Sequence, residues 1–445
     1  MRKLGVFLIL VLAAVFPATV QARGSLDPTF GAGGRVARET PSRTIFGPTQ
    51  VRTGPSGKIY ALYRGSLLAF EPDGSADLSF GTGGVVPLLE RIPFGYGARL
   101  AVDSYGRLIV AGSLKVEESP YSTPVVASQL LAVTRLLPDG SPDPSFNGGE
   151  ELVTDLGLPE AVPPPGVPAY VRGGFFLSVA GIAVDDSDRI VIAGDRASAY
   201  YANKFGFIPM SEGIAARLDS GGAIDRTYGA DGVARGFAPQ GVSGSAAAPN
   251  GSLYISYRLP GGVGASRIVH LTPNGFPARR FGGTSGVRVK TFGEVEMATD
   301  GKGRLTIVDA SRAAPGIEAT VTRFRLDGRP AAAFGRGGRL NVGFPRANAL
   351  SSVAIAEDRS GGAFLATTVT APGGAVERFG LAHVTRHGNV DRRFGRFATG
   401  FGANTRASAA SLSVDERGRP LVAGGLNSPL LPGRLGLAMA RYLPN

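Results

Sequence analysis

The chain of 445 residues is 43% hydrophobic and 18% charged, and its 47 basic and 35 acidic side chains give a formal net charge of +12. It contains no cysteine, which excludes disulfides, zinc thiolate sites and cysteine nucleophiles. Its 66 glycines and 32 prolines favour many short elements joined by turns over a few long helices.

The N-terminal residues have the pattern of an export signal. Two basic residues precede an apolar stretch at 4–16, and Val20 and Ala22 provide the small side chains of a cleavage site. We expect residues 1–22 to be a signal peptide and the mature protein to begin at Arg23, either secreted or periplasmic. The alternative is an uncleaved anchor, for which the apolar stretch is short. No second apolar run of spanning length follows, so the sequence predicts no integral membrane segment after cleavage.

Residues 23–445 repeat a phrase in which a turn is followed by an aromatic residue and glycines. The first copy reads GSLDPTFGAGG and occupies 24–34. Successive aromatics are 50 to 82 residues apart, which indicates a base period slightly above 50 with insertions in two units. The phrase occurs seven times, and its aromatic residues are Phe30, Phe80, Phe146, Tyr228, Phe281, Phe334 and Phe394.

Two further phrases recur in each unit. One is a turn that enters a short apolar strand, as in DSYGRLIVAG at 103–112, and the other is an alternating strand that ends in a turn, as in LAVTRLLPDG at 131–140. Each unit therefore carries about four short strand signals separated by hairpin-type turns. Repeats of this length with four strands each are typical of propeller blades. We expect an all-β fold, a seven-bladed β-propeller with four-stranded antiparallel blades that forms a single domain over 23–445.

The phase of the repeat predicts how such a ring closes. The chain starts at the phrase that holds Phe30 and ends at the strand that normally precedes this phrase. We therefore expect the last blade to be closed by the N-terminal strand, which leaves no free sheet edge between the termini. The aromatic residue of each phrase is expected to lie buried between neighbouring blades, after an Asp that caps the turn.

These phrases resemble the repeats of the Delta-60 family, and the alternating strand phrase that ends in a turn is also similar to that of NHL propellers. The resemblance rests on sequences such as VTRLLPDGSPDPSF at 133–146 and GRLIVAG at 106–112, and it covers nearly all of 23–445. The units that hold Phe281 and Phe334 lack the Asp of the family pattern. The resemblance implies a propeller and implies no particular reaction.

The sequence offers no recognisable catalytic centre, cofactor motif or metal site. Nucleophile-elbow and phosphate-loop motifs are absent, and the histidines are His270, His383 and His387. His383 and His387 are four residues apart on a strand and its turn, where they would not face one metal ion. Carboxylates that precede the turn between the first and second strands of a unit are expected to cap this turn rather than bind calcium. They are Asp103, Asp185, Asp186, Asp300, Glu357, Asp358 and Asp415.

Three insertions provide the first set of candidate ligand-binding residues. They occupy 113–129, 153–174 and 195–212, and the strand phase places all three on one face of two adjacent blades. Exposed aromatics on a rigid scaffold are a common binding device. The alternative is that the loops fold over and bury their own rings. The candidate residues are Tyr121, Tyr170, Tyr200, Tyr201 and Phe205.

Charge asymmetry provides the second set. Residues 24–220 hold 16 basic and 21 acidic side chains, whereas residues 221–445 hold 28 basic and 14 acidic ones. A basic half-ring implies attraction to polyanions, and the alternative is a solvated surface without function. The candidate residues are Arg279, Arg280, Arg392, Arg393 and Arg396.

Two functions from different classes remain open. The first is a non-enzymatic binding or scaffold module, monomeric and without a cofactor, for a protein or an acidic cell-envelope polysaccharide. The second is an extracellular propeller enzyme, a lyase or a lactonase or other hydrolase, with its site in the central channel. Acidic and polar side chains at the channel mouth would favour the enzyme, and a ring of apolar residues would favour binding. Nucleic acid is not expected as a partner of an exported protein.

Overall fold

The computed structural model describes residues 24–39, 50–63, 65–88, 98–118, 126–158, 175–202, 206–239, 241–259, 264–291, 295–310, 318–427 and 435–444. These residues form 28 β-strands and two short 3-10 turns, Pro55–Gly57 and Asn147–Gly149, and they contain no α-helix. Within these ranges, no helix has the length and apolar character needed to cross a membrane.

The strands follow one another as antiparallel meanders and are grouped by hydrogen bonding into five sheets. Three sheets have four strands each. They consist of β2 (Gln50–Thr53), β3 (Ile59–Tyr63), β4 (Ser66–Phe70) and β5 (Val85–Pro87); of β14 (Val242–Ala247), β15 (Leu253–Arg258), β16 (Ser266–Leu271) and β17 (Val287–Val289); and of β18 (Val295–Thr299), β19 (Leu305–Ala310), β20 (Glu318–Arg323) and β21 (Arg339–Gly343).

The other two sheets have eight strands each. One contains β6 (Arg99–Val102), β7 (Leu108–Glu118), β8 (Val126–Leu136), β9 (Leu152–Thr154), β10 (Phe175–Val184), β11 (Ile190–Ala202), β12 (Gly206–Leu218) and β13 (Val233–Ala234). The second contains β22 (Ala349–Glu357), β23 (Ala363–Thr370), β24 (Glu377–Val384), β25 (Arg396–Thr399), β26 (Arg406–Val414), β27 (Pro420–Asn427), β28 (Leu435–Arg441) and β1 (Arg35–Glu39).

The prediction of a seven-bladed propeller with four-stranded antiparallel blades is wrong, because the described strands form five sheets. Each eight-stranded sheet arises where neighbouring units join side by side. In one of them β10 runs parallel to β8, with Phe176 opposite Gln129. In the other, Glu377 of β24 lies opposite Arg406 of β26. Strand extensions make these contacts, and the repeat period does not encode them.

The two ends of the described chain meet in one sheet. Strand β1 pairs antiparallel with β28, and Arg35 lies opposite Ala440. Beyond this pairing, Leu443 donates its backbone N–H to Ser25 O at 2.9 Å. The N-terminal strand thus completes the last sheet, as the phase of the repeat predicted.

Strands β2, β6, β10, β14, β18, β22 and β26 pack against one another in this order, and β26 packs on β2. They enclose a central channel, which defines the fold as an all-β propeller. Their close approach requires small residues. A Cβ atom on Gly181 would collide with Ser245 Oγ, and one on Gly244 would lie 2.8 Å from Val295 O.

The corners between the third and fourth strands hold the repeated aromatic residues, and all seven of these rings are buried. Phe146 belongs to a core cluster formed by two successive units. Gly222, in the next turn, has a φ of +95°, and a Cβ there would lie 3.0 Å from the Phe146 ring. Asp143 accepts the backbone N–H of Ser145 at 2.9 Å, as expected for a capping residue. The prediction that this aromatic residue lies buried between neighbouring units, after a capping Asp, is therefore confirmed for Phe146.

Buried arginines complete the corners. The Arg135 guanidinium lies 5.0 Å from the centroid of the Phe146 ring, and its Nε is 2.7 Å from Asp143 Oδ2. Its Nη1 donates to Ser220 O of the following unit at 2.6 Å. The guanidinium therefore joins one corner to the next turn. The same stacking unites Arg217 with Tyr228, Arg323 with Phe334, and Arg441 with Phe30.

Candidate functional site

The described ends of the three insertions lie at one edge of the sheet β6–β13. Strands β7 and β8 diverge at Glu118 and Val126, which lie opposite each other. Strand β10 begins next to β8 and pairs with the far end of β11, where Phe175 lies opposite Ser198. The strand ends that border the insertions therefore share one face, as the strand phase predicted.

Three of the five candidate aromatic residues of the insertions, Tyr121, Tyr170 and Phe205, lie outside the described residues. The backbone of Tyr200 and Tyr201 continues β11 as a regular antiparallel pair with β12. An aromatic binding patch on this face stays a prediction.

The opposite face is formed by the first turn of each unit and by the corner after its third strand, and we call it the turn face. First turns and corners are in direct contact there. Lys58 of a first turn lies 2.6 Å from Asp77 of the corner in its unit. Corners also bind the next unit, because Gly229 donates its backbone N–H to Asn274 O, and Gly335 donates to His387 O, each at 2.8 Å. The turn face is thus a continuous surface.

The candidate arginines lie on this face. Arg279, Arg280, Arg392 and Arg393 occupy the exposed positions directly before a corner aromatic. Arg396 is also exposed, and its Nη1 donates to Gly343 O of the preceding unit at 2.9 Å. The same sector of first turns and corners carries further exposed basic residues, which are Lys302, Arg325, Arg329, Arg336, Arg359, Arg386 and Arg417.

The other sector of the turn face has the opposite sign. Exposed carboxylates occupy its turns at Asp73, Asp139, Asp186 and Asp219. Several of them also cap their own turns. Asp139, for example, accepts the Ser141 N–H at 2.9 Å, and the hydrogen bonds from Ser141 hold the pKa of this carboxyl below its usual range. The charge asymmetry of the sequence therefore corresponds to a basic sector and an acidic sector of the turn face.

The buried side chain of His383 is held between two carboxylates. Its Nε2 lies 2.6 Å from Asp358 Oδ2, and its Nδ1 lies 3.2 Å from Asp391 Oδ2. Burial raises the pKa of Asp358, but hydrogen bonds from His383, Ser360 and the backbone lower it to about 2. His387 is exposed on the turn. Within the described ranges, no three histidine or carboxylate side chains are grouped as a metal site.

Most of the carboxylates that were expected to cap the first turns do so, and Asp358 accepts the N–H groups of Ser360 and Gly362. The prediction is wrong for Glu357, whose side chain pairs with Arg323 instead. Asp103 Oδ1 accepts the N–H groups of Tyr105 and Arg107, each at 2.9 Å. Its Oδ2 binds Arg107 Nε at 2.6 Å. The same arrangement recurs at Asp185, Asp300 and Asp415.

The central channel holds a cavity of about 590 Å³. More than half of the residues that line it are Ala, Gly or Ser. Its long polar side chains are Gln50 and Arg52 of β2, Arg99 of β6, Glu296 of β18 and Glu357 of β22. The lining is therefore neither an apolar ring nor an acidic cluster, and the criterion set from the sequence does not decide between binding and catalysis.

Hydrogen bonds fix the positions of the channel side chains. Arg99 Nε donates to Ala180 O at 2.8 Å, and Gln50 Oε1 accepts the Leu100 N–H at 2.8 Å. Arg52 Nη1 donates to the carbonyl of its own neighbour in β2 at 2.9 Å. Burial and the charge of Arg99 lower the pKa of Arg52, whereas Glu296 raises it. The three charged groups therefore share one electrostatic environment.

Sequence reasoning did not single out Arg52, Arg99 or Glu296. Each lies in the first strand of its unit, where most copies carry small residues instead. A comparison of these strands position by position could have found them. Sequence reasoning also did not identify the buried arginines of the corners, although Arg135 and Arg217 each stand five residues before the glycine of the next turn.

Comparisons with known proteins agree with the fold class. Residues 106–146 match the model of a family described as a domain of unknown function (DUF5122) beta-propeller. This match supports the resemblance to a propeller family, whereas the name Delta-60 stays a prediction. No curated protein sequence matches the chain.

Solved structures that are similar to the chain include the following three. A protein of unknown function from Dyadobacter fermentans has 13% identity over 94% of this chain and 100% of its own, with a TM-score of 0.41. The polysaccharide lyase Uly1 has 9% identity over 91% of both chains and a TM-score of 0.46. A mutant of the NanB sialidase from Streptococcus pneumoniae has 8% identity over 87% of this chain and 81% of its own, with a TM-score of 0.42.

Proposed function

We propose that the chain is an exported, monomeric β-propeller, mature from Arg23, that binds an anionic cell-envelope polymer without catalysing a reaction. The observation that carries this proposal is the sector of exposed arginines on the turn face. Arg279 and Arg280 lie on one corner and Arg392 and Arg393 on another, two units further along the ring.

The corners between these two pairs are packed one on the next. A Cβ atom on Gly328 of one turn would lie 3.3 Å from Gly282 N in the preceding corner, and Gly335 of the following corner donates its N–H to His387 O. The basic residues therefore follow the ring as a curved track. A guanidinium offers a planar fork to carboxylate, sulfate or phosphate groups. A flexible polyanion can engage several such groups at once, so that weak contacts add through multivalency.

The test is retention on immobilised polygalacturonate across a salt gradient. The wild-type protein should be retained at about 0.1 M salt and elute before about 1 M, because the Debye length falls from about 10 Å to about 3 Å over this range. The double variant Arg392→Ser/Arg393→Ser should elute at clearly lower salt, since it removes two neighbouring contacts of the track.

A matched control removes the same charge elsewhere. Arg258 and Arg378 are exposed at the ends of β15 and β24 that point away from the turn face. The variant Arg258→Ser/Arg378→Ser should elute close to the wild-type position. Elution of the wild type below about 0.1 M salt would show that the turn face does not bind the polyanion. Equal shifts for both double variants would show that retention depends on net charge and not on the position of the arginines.

The enzyme alternative, a lyase or a lactonase or other hydrolase, depends on the central channel. Its lining carries Glu296 and Glu357 among arginines and small residues. Glu357 pairs with Arg323, whose Nη2 donates to both carboxylate oxygens, Oε1 at 2.9 Å and Oε2 at 2.8 Å. This carboxylate therefore has a structural partner, and we retain binding as the proposed function.

A further inference from the structure

The central channel has the size and the side chains of a small-molecule site that is separate from the turn face. Its volume of about 590 Å³ falls inside the range of about 300–1,000 Å³ that is usual for such sites. Arg52 and Arg99 stand on adjacent inner strands among alanine, glycine and serine residues. In a channel of mostly short side chains, these two guanidiniums are the charged groups that the inner strands β2 and β6 contribute to the lining, and they set the chemistry of this sector.

Two guanidinium groups in one enclosed space repel each other. Burial lowers the pKa of Arg52, the charge of Glu296 raises it, and the charge of Arg99 lowers it. An anion that enters between them would remove this repulsion and exchange it for two attractive contacts. A carboxylate fits best, because its two oxygens match the planar donors of an arginine.

The rest of the lining is suited to hydroxyl groups. Serines 243, 245, 352, 411 and 413 contribute to the cavity wall. Glu296 stands on β18, three inner strands away from both β2 and β6 around the ring, and its side chain is exposed to the cavity. A carboxylate in that position accepts hydrogen bonds from a ligand hydroxyl and repels a second negative charge.

We propose that the central channel binds a polyhydroxy monocarboxylate of monosaccharide size, with its carboxylate between Arg52 and Arg99 and its hydroxyls toward Glu296 and the serines. This site is independent of the polymer track on the turn face. It can exist whether or not the turn face binds a polyanion.

The test is isothermal titration of the full mature chain with D-glucuronate as the probe and D-glucose as its neutral counterpart. Saturable binding of glucuronate is expected, with glucose at least about tenfold weaker because it lacks the carboxylate. Absence of saturable glucuronate binding, or equal affinity for glucose, would overturn the proposal.

The variant Arg52→Gln locates the site. Among the described residues, the side chain of Arg52 hydrogen-bonds to the carbonyl of Val51 in its own strand, whereas Arg99 joins β6 to β10. Arg52→Gln should lose at least about tenfold in glucuronate affinity, and Arg258→Gln should not. Arg52→Lys keeps the charge without the fork and should fall between wild type and Arg52→Gln. If Arg52→Gln does not fold, Arg52→Lys alone tests the site. Wild-type affinity for glucuronate in either Arg52 variant would refute the site.

The turn-face variant Arg392→Ser/Arg393→Ser separates the two proposals. It should retain glucuronate binding while its retention on polygalacturonate falls. A loss of glucuronate binding in this variant would place the sugar-acid site on the turn face and overturn the channel site. Failure of polygalacturonate retention alone would leave the channel result unchanged.

Discussion

Arg441 Nε lies 2.9 Å from Asp27 Oδ2, although 414 positions of sequence separate the two residues. Both side chains are buried, and Arg419 Nη1 approaches the same carboxylate oxygen at 3.1 Å. Burial raises the pKa of Asp27, but hydrogen bonds from Thr29 and the charges of the two arginines hold it below its usual range. A buried ion cluster thus joins the N-terminal corner to the last strand.

The closure of the ring gives the first prediction. Phe30→Ala should lower the free energy of unfolding by about 3–5 kcal/mol, because it empties a fully buried site between the first and last units. Urea denaturation would measure the loss. Phe276→Ala is the matched control, since Phe276 is 56% exposed, and it should have little effect.

Deletion of residues 24–38 should have a larger effect than Phe30→Ala. It removes most of β1, the Asp27 carboxylate and the Phe30 ring together, and so leaves β28 as an open edge. Thermal unfolding would follow the outcome. An unchanged melting temperature in this deletion would contradict the closure model.

Two adjacent glycines of β27 give the second prediction. A Cβ atom on Gly424 would collide with Ser408 O, next to the point where the register of β26 and β27 shifts, whereas a Cβ on Gly425 meets nothing within 4 Å. Gly424→Ala should therefore destabilise the protein by about 1–3 kcal/mol, because the backbone must move. Gly425→Ala should be within about 0.5 kcal/mol of wild type.

Denaturation midpoints of the two variants, measured side by side, would decide this prediction. Both variants add the same methyl group to the same strand, so differences in intrinsic propensity cancel. Equal midpoints would mean that β26 and β27 do not approach each other closely at the bulge.

Much of the corner could be predicted from the sequence. The aromatic ring of Phe146, the cap of Asp143 and the turn glycine Gly222 all recur at fixed offsets, and local chemistry determines what each one does. The period also fixed where the chain ends must meet. These features are local or repeat with the unit, which is why sequence patterns contain them.

The remaining features depend on contacts between units. The pairing of Phe176 with Gln129 joins two units into one sheet, and no local pattern marks it. The channel residues Arg52 and Glu296 come from strands that are far apart in sequence, and only the closed ring brings them to one cavity. The count of sheets and the channel site were therefore not predictable from the repeat alone.

His270 shows how a repeated position can change its chemistry. It occupies the place that Arg135 and Arg217 hold in their units, five residues before the turn glycine. Its ring stacks on Tyr254 with 4.1 Å between centroids and 9° between planes. Both ring nitrogens are buried and have no hydrogen-bond partner among the described residues, and burial lowers the pKa of His270 from 6.5 to about 4. The folded protein thus keeps this imidazole neutral.

This shift gives the last prediction, which concerns acid stability. The unfolded chain binds a proton at His270 near pH 6.5, and the folded chain binds it only near pH 4, so protonation favours unfolding. The contribution of neutral His270 is fully present above pH 6.5 and is lost as the pH falls toward 4. The variant His270→Phe keeps a stacking ring without a titratable group, and it should lose this part of the pH dependence. Urea denaturation of both proteins at pH 7 and pH 4.5 would measure it. An equal fall in stability in both proteins would show that His270 is solvated in the folded state.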